Sequence, residues 1–383
     1  MWFFSLLAQF FMQPALWICF LVTFIIYQYR IKNERLNFRI AINRDFYEGR
    51  HLVKNGFLFG LCGSGLFFLL GVGVPMQWII VYEILICLGL LLFLFIDSGI
   101  FTLLVSLPLL FFLQQITTEE FSLLKKISID EQVLLTSGRS LFILTALFFL
   151  FRYLMLRHVN QYLLVPSIHE GKRGRRLIKY TWQESALVPL LILIPGDTFH
   201  SMVNFWPVFM FHGQKFELFI LPFWITGTIK FWRQPLTSAL KKVRKQAIYG
   251  LGYSVAFIVL TSFWPRLSVW GLLLLVVLLG IQAFLSARKD RREGRWYAET
   301  KSGVRVVAVQ PHTPAAKMNL NIGDVIISCN GVKVANEEEL YAALKLDSTY
   351  CHFKIRTYEG ELKLAESAIF ADSPHEIGLI IFH

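Results

Sequence analysis

Charge is what this sequence lacks most. Only 17% of its 383 residues are Asp, Glu, Lys or Arg, against roughly 25% in soluble globular proteins. An ordinary soluble enzyme is thereby excluded. Solvated disorder is excluded by an excess, 36 Phe and 10 Trp, more apolar surface than an unfolded chain keeps in water. Cysteine is sparse. Cys19, Cys62, Cys87, Cys329 and Cys351 form no C-x-x-C pair, and the first three sit in apolar runs. Neither a disulfide framework nor a zinc site is expected. Hydrolytic motifs are missing too. His169-Glu170 is followed by Gly-Lys-Arg, and His375-Glu376 has Leu379 where H-E-x-x-H needs its second imidazole. No G-x-S-x-G elbow and no P-loop occurs. The expectation is a protein without catalytic residue, cofactor or metal.

What is present, up to about residue 286, is a series of long apolar runs. A bilayer core of ~30 Å needs about 20 helical residues. Ala15–Tyr29, Phe57–Val74, Gln77–Ile96, Ile100–Ile116, Leu141–Leu156, Phe216–Trp232, Ala247–Trp264 and Leu267–Leu285 read as spans. Ala186–Asn204 is a poorer one, interrupted at Pro195-Gly196-Asp197. The expectation is a polytopic α-helical membrane domain over 1–286 with about 8–9 spans. Pro14 sets off Met1–Gln13 as a short interfacial helix. With no basic n-region and no cleavage site before Arg30, the first run is expected to stay as an anchor.

Lys and Arg crowd into Arg30–Lys54, Arg157–Ser185, Lys230–Lys245 and Arg288–Lys301, whereas Thr117–Arg139 carries both signs. The positive-inside rule puts the four basic loops in the cytoplasm. The net charge of +12 then reads as contact with anionic lipid, not nucleic acid. Gly171-Lys172-Arg173-Gly174-Arg175-Arg176 is the densest cluster. Inside the apolar runs little chemistry is visible. Pro195-Gly196-Asp197 with His200 resembles a broken-helix transporter site, a hairpin bend being the simpler account. Gly56-x-x-x-Gly60, continued by Gly63 and Gly65, would permit close packing.

After a basic juxtamembrane linker at 287–300, residues 301–383 change character. Gly303–Val309 alternates at period two. Thr313-Pro314-Ala315-Ala316 opens a helical turn, and Asn330-Gly331 signals a type I′ hairpin. Asn336-x-x-Glu339 is a capping box ahead of the apolar face Leu340, Ala343, Leu344. Glu359-Gly360 joins a second hairpin. The run G-V-x-V-x-x-V, P-A-A, L-x-x-G-D-V-I, N-G-x-x-V and a capped helix resembles the PDZ domains of bacterial proteases and membrane proteins. Asn319 stands where such domains usually carry Gly.

That resemblance implies a small α+β domain binding peptide termini between an edge strand and a helix. In protease PDZ domains the edge strand precedes G-V-x-V. Here Ile377-Gly378-Leu379-Ile380-Ile381 supplies it at the other end, a circular permutation. The expected groove residues are Ile377, Gly378, Leu379 and Ile381, with Asn336, Leu340 and Leu344 opposite, binding by strand addition. An edge strand over a closed groove is the other reading.

Several spans, the early basic segment Arg30-Ile31-Lys32-Asn33-Glu34-Arg35 and one cytoplasmic C-terminal PDZ domain together resemble the MinJ-like cell-division topology factors of Bacillus-type bacteria. The resemblance implies a non-catalytic membrane scaffold at septa and poles, linking DivIVA- and MinD-type partners and other divisome proteins, and able to form a homo-oligomer. A PDZ adaptor regulating a protease or secretion complex, or a transporter with a regulatory PDZ domain, are the alternatives.

Overall fold

In the computed structural model the described residues are 2–92, 97–116, 131–170, 174, 176–200, 215–290, 297–300, 302–347, 349–368 and 377–382. The 117–130 loop, most of the 171–176 basic cluster and positions 291–296 of the basic linker lie outside them.

Helices α1 (Trp2–Met12), α2 (Pro14–Phe38), α3 (Tyr47–Leu70), α4 (Met76–Leu92), α5 (Gly99–Ile116) and α6 (Glu131–Arg157) come first. After three strands follow α7 (Leu236–Phe263) and α8 (Ser268–Asp290). Five helical stretches among the described residues are long and apolar enough to cross a membrane: Pro14–Phe38, Tyr47–Leu70, Ser137–Arg157, Leu236–Phe263 and Pro265–Asp290. Helices α4 and α5 are apolar but shorter. This is a membrane protein.

Two expected spans are not helices. Strand β2 (Arg176–His200) takes in the described part of Ala186–Asn204, and β3 (Lys215–Phe231) takes in nearly all of Phe216–Trp232. They pair antiparallel from Tyr180↔Phe231 to Pro195↔Phe216, and β1 (Val165–Glu170) adds to β2 at the base. The reason is local. Pro189, Pro195 and Pro222 would each remove a helical hydrogen bond and clash with the preceding turn. Phe, Trp, Ile and Thr of 216–231 suit a pleated surface. Pro189 and Pro222 face each other, so two residues without an amide share one rung.

Helix α3 carries β2 along its glycine face. A Cβ on Gly56 would stand 2.6 Å from the Leu187 carbonyl oxygen, and one on Gly60 3.0 Å from Pro189. The small-residue face thus admits a strand instead of a helix. Beyond α3, the Val74 amide donates to Leu193 (3.0 Å) and the Leu193 amide to Val72 (3.3 Å). From Gly56 to its end at Leu70, α3 rises about 21 Å, and from Leu187 to Leu193 a strand rises about 20 Å, so the two run side by side.

A two-stranded ribbon has two open edges, and in apolar surroundings each unbonded edge group is costly. Polar side chains supply the bonds. Ser64 Oγ accepts from the Leu191 amide (2.9 Å) and donates to the Pro189 carbonyl (3.4 Å). Gln13 Nε2 donates to the Ile220 carbonyl (3.0 Å), and Tyr82 Oη accepts from the Trp224 amide (3.4 Å). Thr226 Oγ1 accepts from the Gly99 amide (3.2 Å) and donates to Asp97, which is also paired with Arg152.

The early basic segment is structural. Arg30 grips Glu48 with Nε (2.6 Å) and Nη2 (3.2 Å) and donates to the Asp45 carbonyl (2.7 Å). Glu34 accepts from the Ile42 amide (2.8 Å). Together they fold the α2–α3 connection down.

The C-terminal domain has β4 (Val304–Val309), α9 (Pro314–Lys317), β5 (Val325–Cys329), β6 (Val332–Lys333), α10 (Glu337–Lys345), β7 (Tyr350–Arg356), β8 (Leu362–Ala368) and β9 (Leu379–Ile381). The sheet order is β8-β7-β5-β4-β9, with β6 on β5. Asn330 (φ 47°) and Gly331 (φ 82°) form the tight turn read from the sequence.

This domain is seated on the hairpin base. Tyr180 Oη donates to the Val307 carbonyl at 2.6 Å, at the point where the β4–β9 register slips. Gln161 bonds Leu320 (2.9 Å) and Ile322 (3.2 Å), and Gln310 Nε2 reaches the Ala41 carbonyl (3.3 Å). Within the segment read as linker, the Ile178 amide donates to Tyr297 and the Glu299 amide to Arg176. Ile380 and Phe382 are buried in the same apolar cluster as Tyr180, Phe231 and Tyr297.

Candidate functional site

Strand β9 is the last strand of its sheet and pairs with β4 through Val306↔Ile381, Ala308↔Ile380 and Val309↔Leu379. Its alternation is used on both faces. Leu379 and Ile381 join the cluster around Phe353 and Leu340, while Ile380 and Phe382 face the hairpin. Edge strand and anchoring strand are therefore the same element.

Ahead of β9, the Ile377 carbonyl accepts from the Ala315 amide (3.1 Å) and the Gly378 carbonyl from the Gln310 amide (2.8 Å). In a trans peptide C=O and N–H point opposite ways. The amides of Gly378 and Leu379 are thereby turned away from those donors. Such consecutive amides form a concavity for a carboxylate or a backbone carbonyl. Gly378 adopts φ 81°, and a Cβ there would sit 2.3 Å from Thr313 Oγ1. Its bare α-carbon is needed by the fold, not only by an incoming ligand.

Across from β9, α10 is fixed by a reciprocal cap. Asn336 Oδ1 accepts from the Glu339 amide (2.8 Å), and Glu339 Oε2 accepts from the Ala335 amide (2.7 Å). Of the expected groove residues, Leu340 and Ile381 are buried in the core as its floor. Ile377, Leu379 and Leu344 are half-buried and packed on the same cluster, at its rim. Asn336 caps the helix and lines a cavity of about 360 Å³. That cavity includes three residues that are not among the expected groove residues: Arg176, Glu299 and Phe382. Arg176 and Glu299 meet through two bonds, 3.0 and 2.5 Å, and the Glu299 carboxylate holds the guanidinium pKa above its usual value. No sequence signal joins residues 123 positions apart. Behind the site, burial raises the Asp324 carboxyl, opposed by the Asn321 amide it accepts from at 2.9 Å.

Comparison with known proteins agrees with this architecture. A PDZ-domain family model matches residues 278–350, stopping short of β9. The chain is 30% identical over 221 residues to the probable cell division topological determinant MinJ of Lacticaseibacillus paracasei, covering 57% of this chain and 58% of that protein. It is 26% identical over 379 residues to the cell division topological determinant MinJ of Bacillus subtilis, covering 97% of this chain and 92% of that one. A 60-residue stretch, 16% of the chain, is 38% identical to the serine protease HTRA1 of Xenopus tropicalis.

Proposed function

We propose that this MinJ-like membrane protein is a non-catalytic scaffold for division-site placement, whose C-terminal groove takes an extended partner segment by strand addition. The observation that carries the reading is the outermost place of β9 in its sheet among the described residues, with the Gly378 and Leu379 amides turned away from Ala315 and Gln310. Strand addition needs such an edge. The cell-division names of the relatives that align with this chain support the rest. On this reading the protein is multi-pass, its PDZ domain lies in the cytoplasm, and it concentrates at septa and poles. Its partners are of DivIVA and MinD type and other divisome components, and self-association and contact with anionic lipid accompany them.

The test is a pull-down of the solubilised chain with and without residues 301–383, together with a fluorescent fusion. Septal and polar signal, and disturbed septum placement on deletion, are expected. Uniform membrane signal with normal division would refute the reading. A cytoplasm-only reporter after His383 should be active.

The protease-adaptor alternative keeps one observation, the 60-residue likeness to a serine protease. The transporter alternative loses its motive. Pro195-Gly196-Asp197 lies in a β-hairpin, not in an interrupted helix.

A further inference from the structure

A second cavity, of about 340 Å³, lies between α2 and the base of the hairpin, within the size range of ligand sites. The period of two builds its hairpin wall. Lys179, Thr181 and Gln183 share one face of β2, and Lys230 stands opposite Thr181 on β3. Lys179 and Lys230 are diagonal neighbours, with backbones about 7–8 Å apart. Strand β1 adds Ser167 and His169, and α2 adds Ile26, Tyr29 and Asn33. Three of the lining side chains are lysine or arginine and one is a carboxylate, Glu48, already gripped by Arg30. Lys179 has no carboxylate within 4.0 Å among the described residues, and its ammonium lies 5.3 Å from the Trp232 ring.

The rim is amphipathic. Along α2 the wall passes from Ile26 to Asn33 within two turns, and Ile25, Tyr29 and Trp232 are exposed beside it. Aromatic side chains with a polar end mark the level where hydrocarbon gives way to headgroups. A basic pocket at that level suits an anionic lipid headgroup.

We propose that this cavity binds the phosphate headgroup of an anionic membrane phospholipid, held by Lys179 and Lys230, with its acyl chains along the Ile25–Ile26 side of α2. The Thr181 hydroxyl lies on the same wall to donate to the phosphate, whereas the Ser167 hydroxyl donates to the Lys179 carbonyl (3.2 Å). The site is independent of the PDZ groove and tethers α2 to the hairpin that carries the C-terminal domain.

The test is native mass spectrometry of the full chain in detergent, titrated with phosphatidylglycerol, phosphatidylcholine or glycerol 3-phosphate. Phosphatidylglycerol should bind more tightly than the other two. Lys179→Gln with Lys230→Gln should weaken it roughly 10- to 30-fold, two lysines' worth at a lipid surface. The charge-matched pair Lys333→Gln with Lys345→Gln, exposed on the C-terminal domain and outside the basic loops, should leave it unchanged. Equal loss in both pairs, or equal binding of the two lipids, would overturn the site. Glycerol 3-phosphate binding as tightly as the lipid would assign the cavity to a soluble phosphate and overturn the lipid. If the first pair does not fold, Lys179→Gln alone should still weaken binding several-fold, roughly one lysine's worth, and an unchanged affinity would have the same consequence.

Discussion

Helix α3 allows the packing of a strand in the membrane domain to be weighed without its largest confounder. Gly56 and Gly65 lie in one helix. A Cβ at Gly56 would be 2.6 Å from the Leu187 carbonyl oxygen, and a Cβ at Gly65 would meet nothing within 4 Å. Replacing either with Ala gains the same helix propensity, about 1 kcal/mol. That gain cancels when the two variants are compared. What remains is the overlap. The Leu187 oxygen belongs to a residue paired with Trp224 in the β2–β3 ladder, so it cannot swing aside as a side chain would. Forcing one extra carbon into a packed site costs about 1–3 kcal/mol. Gly65→Ala should therefore be neutral or slightly stabilising, and Gly56→Ala less stable than Gly65→Ala by about 1–3 kcal/mol. Leu at the two positions should widen the gap. Reversible unfolding in mixed sodium dodecyl sulfate and mild-detergent micelles measures the difference. Equal stability of the two Ala variants, within about 0.5 kcal/mol, would refute the seating of β2 on α3.

Arg152→Met should leave Asp97 only its Thr226 hydroxyl bond and destabilise the membrane domain by about 1–3 kcal/mol, and adding Asp97→Asn should recover much of it in the same unfolding assay. Gly378→Val should damage the C-terminal domain itself, since its Cβ runs into Thr313, whereas Leu344→Glu at the groove rim should weaken partner binding and leave the fold intact; hydrogen exchange across β4 and β9 separates them, and identical protection in wild type and Gly378→Val would contradict the first. Asp324 has a raised folded-state pKa, so its neutral form favours the fold. That contribution is full below the unfolded value near 3.9 and is lost as pH rises through the raised one. Exchange protection of β5 should fall over that window in wild type and stay flat in Asp324→Asn.

Period and punctuation were enough for the C-terminal domain. Asn330-Gly331, the Asn336 cap and the alternation of Val304–Val309 are local signals, and each describes bonds made within a few residues. The edge strand expected at Ile377–Ile381, formed over Leu379–Ile381, follows from the PDZ resemblance and the pattern missing before Gly303. Hydropathy identified the membrane helices for the same reason, since a helix satisfies its own backbone. It misread 186–204 and 216–232 because an apolar strand and an apolar helix have the same composition. Only the prolines dissent, and Pro195-Gly196-Asp197 fits a break in a helix as well as a strand. A strand in apolar surroundings exists only if other elements bond its edges, and Ser64, Gln13 and Tyr82 do so from distant parts of the chain. The seat of the PDZ domain was equally illegible. Tyr180 and Val307 are 127 residues apart and Arg176 and Glu299 are 123 apart. Their meeting is decided by how the whole chain closes, because a contact between distant residues leaves no period in the sequence.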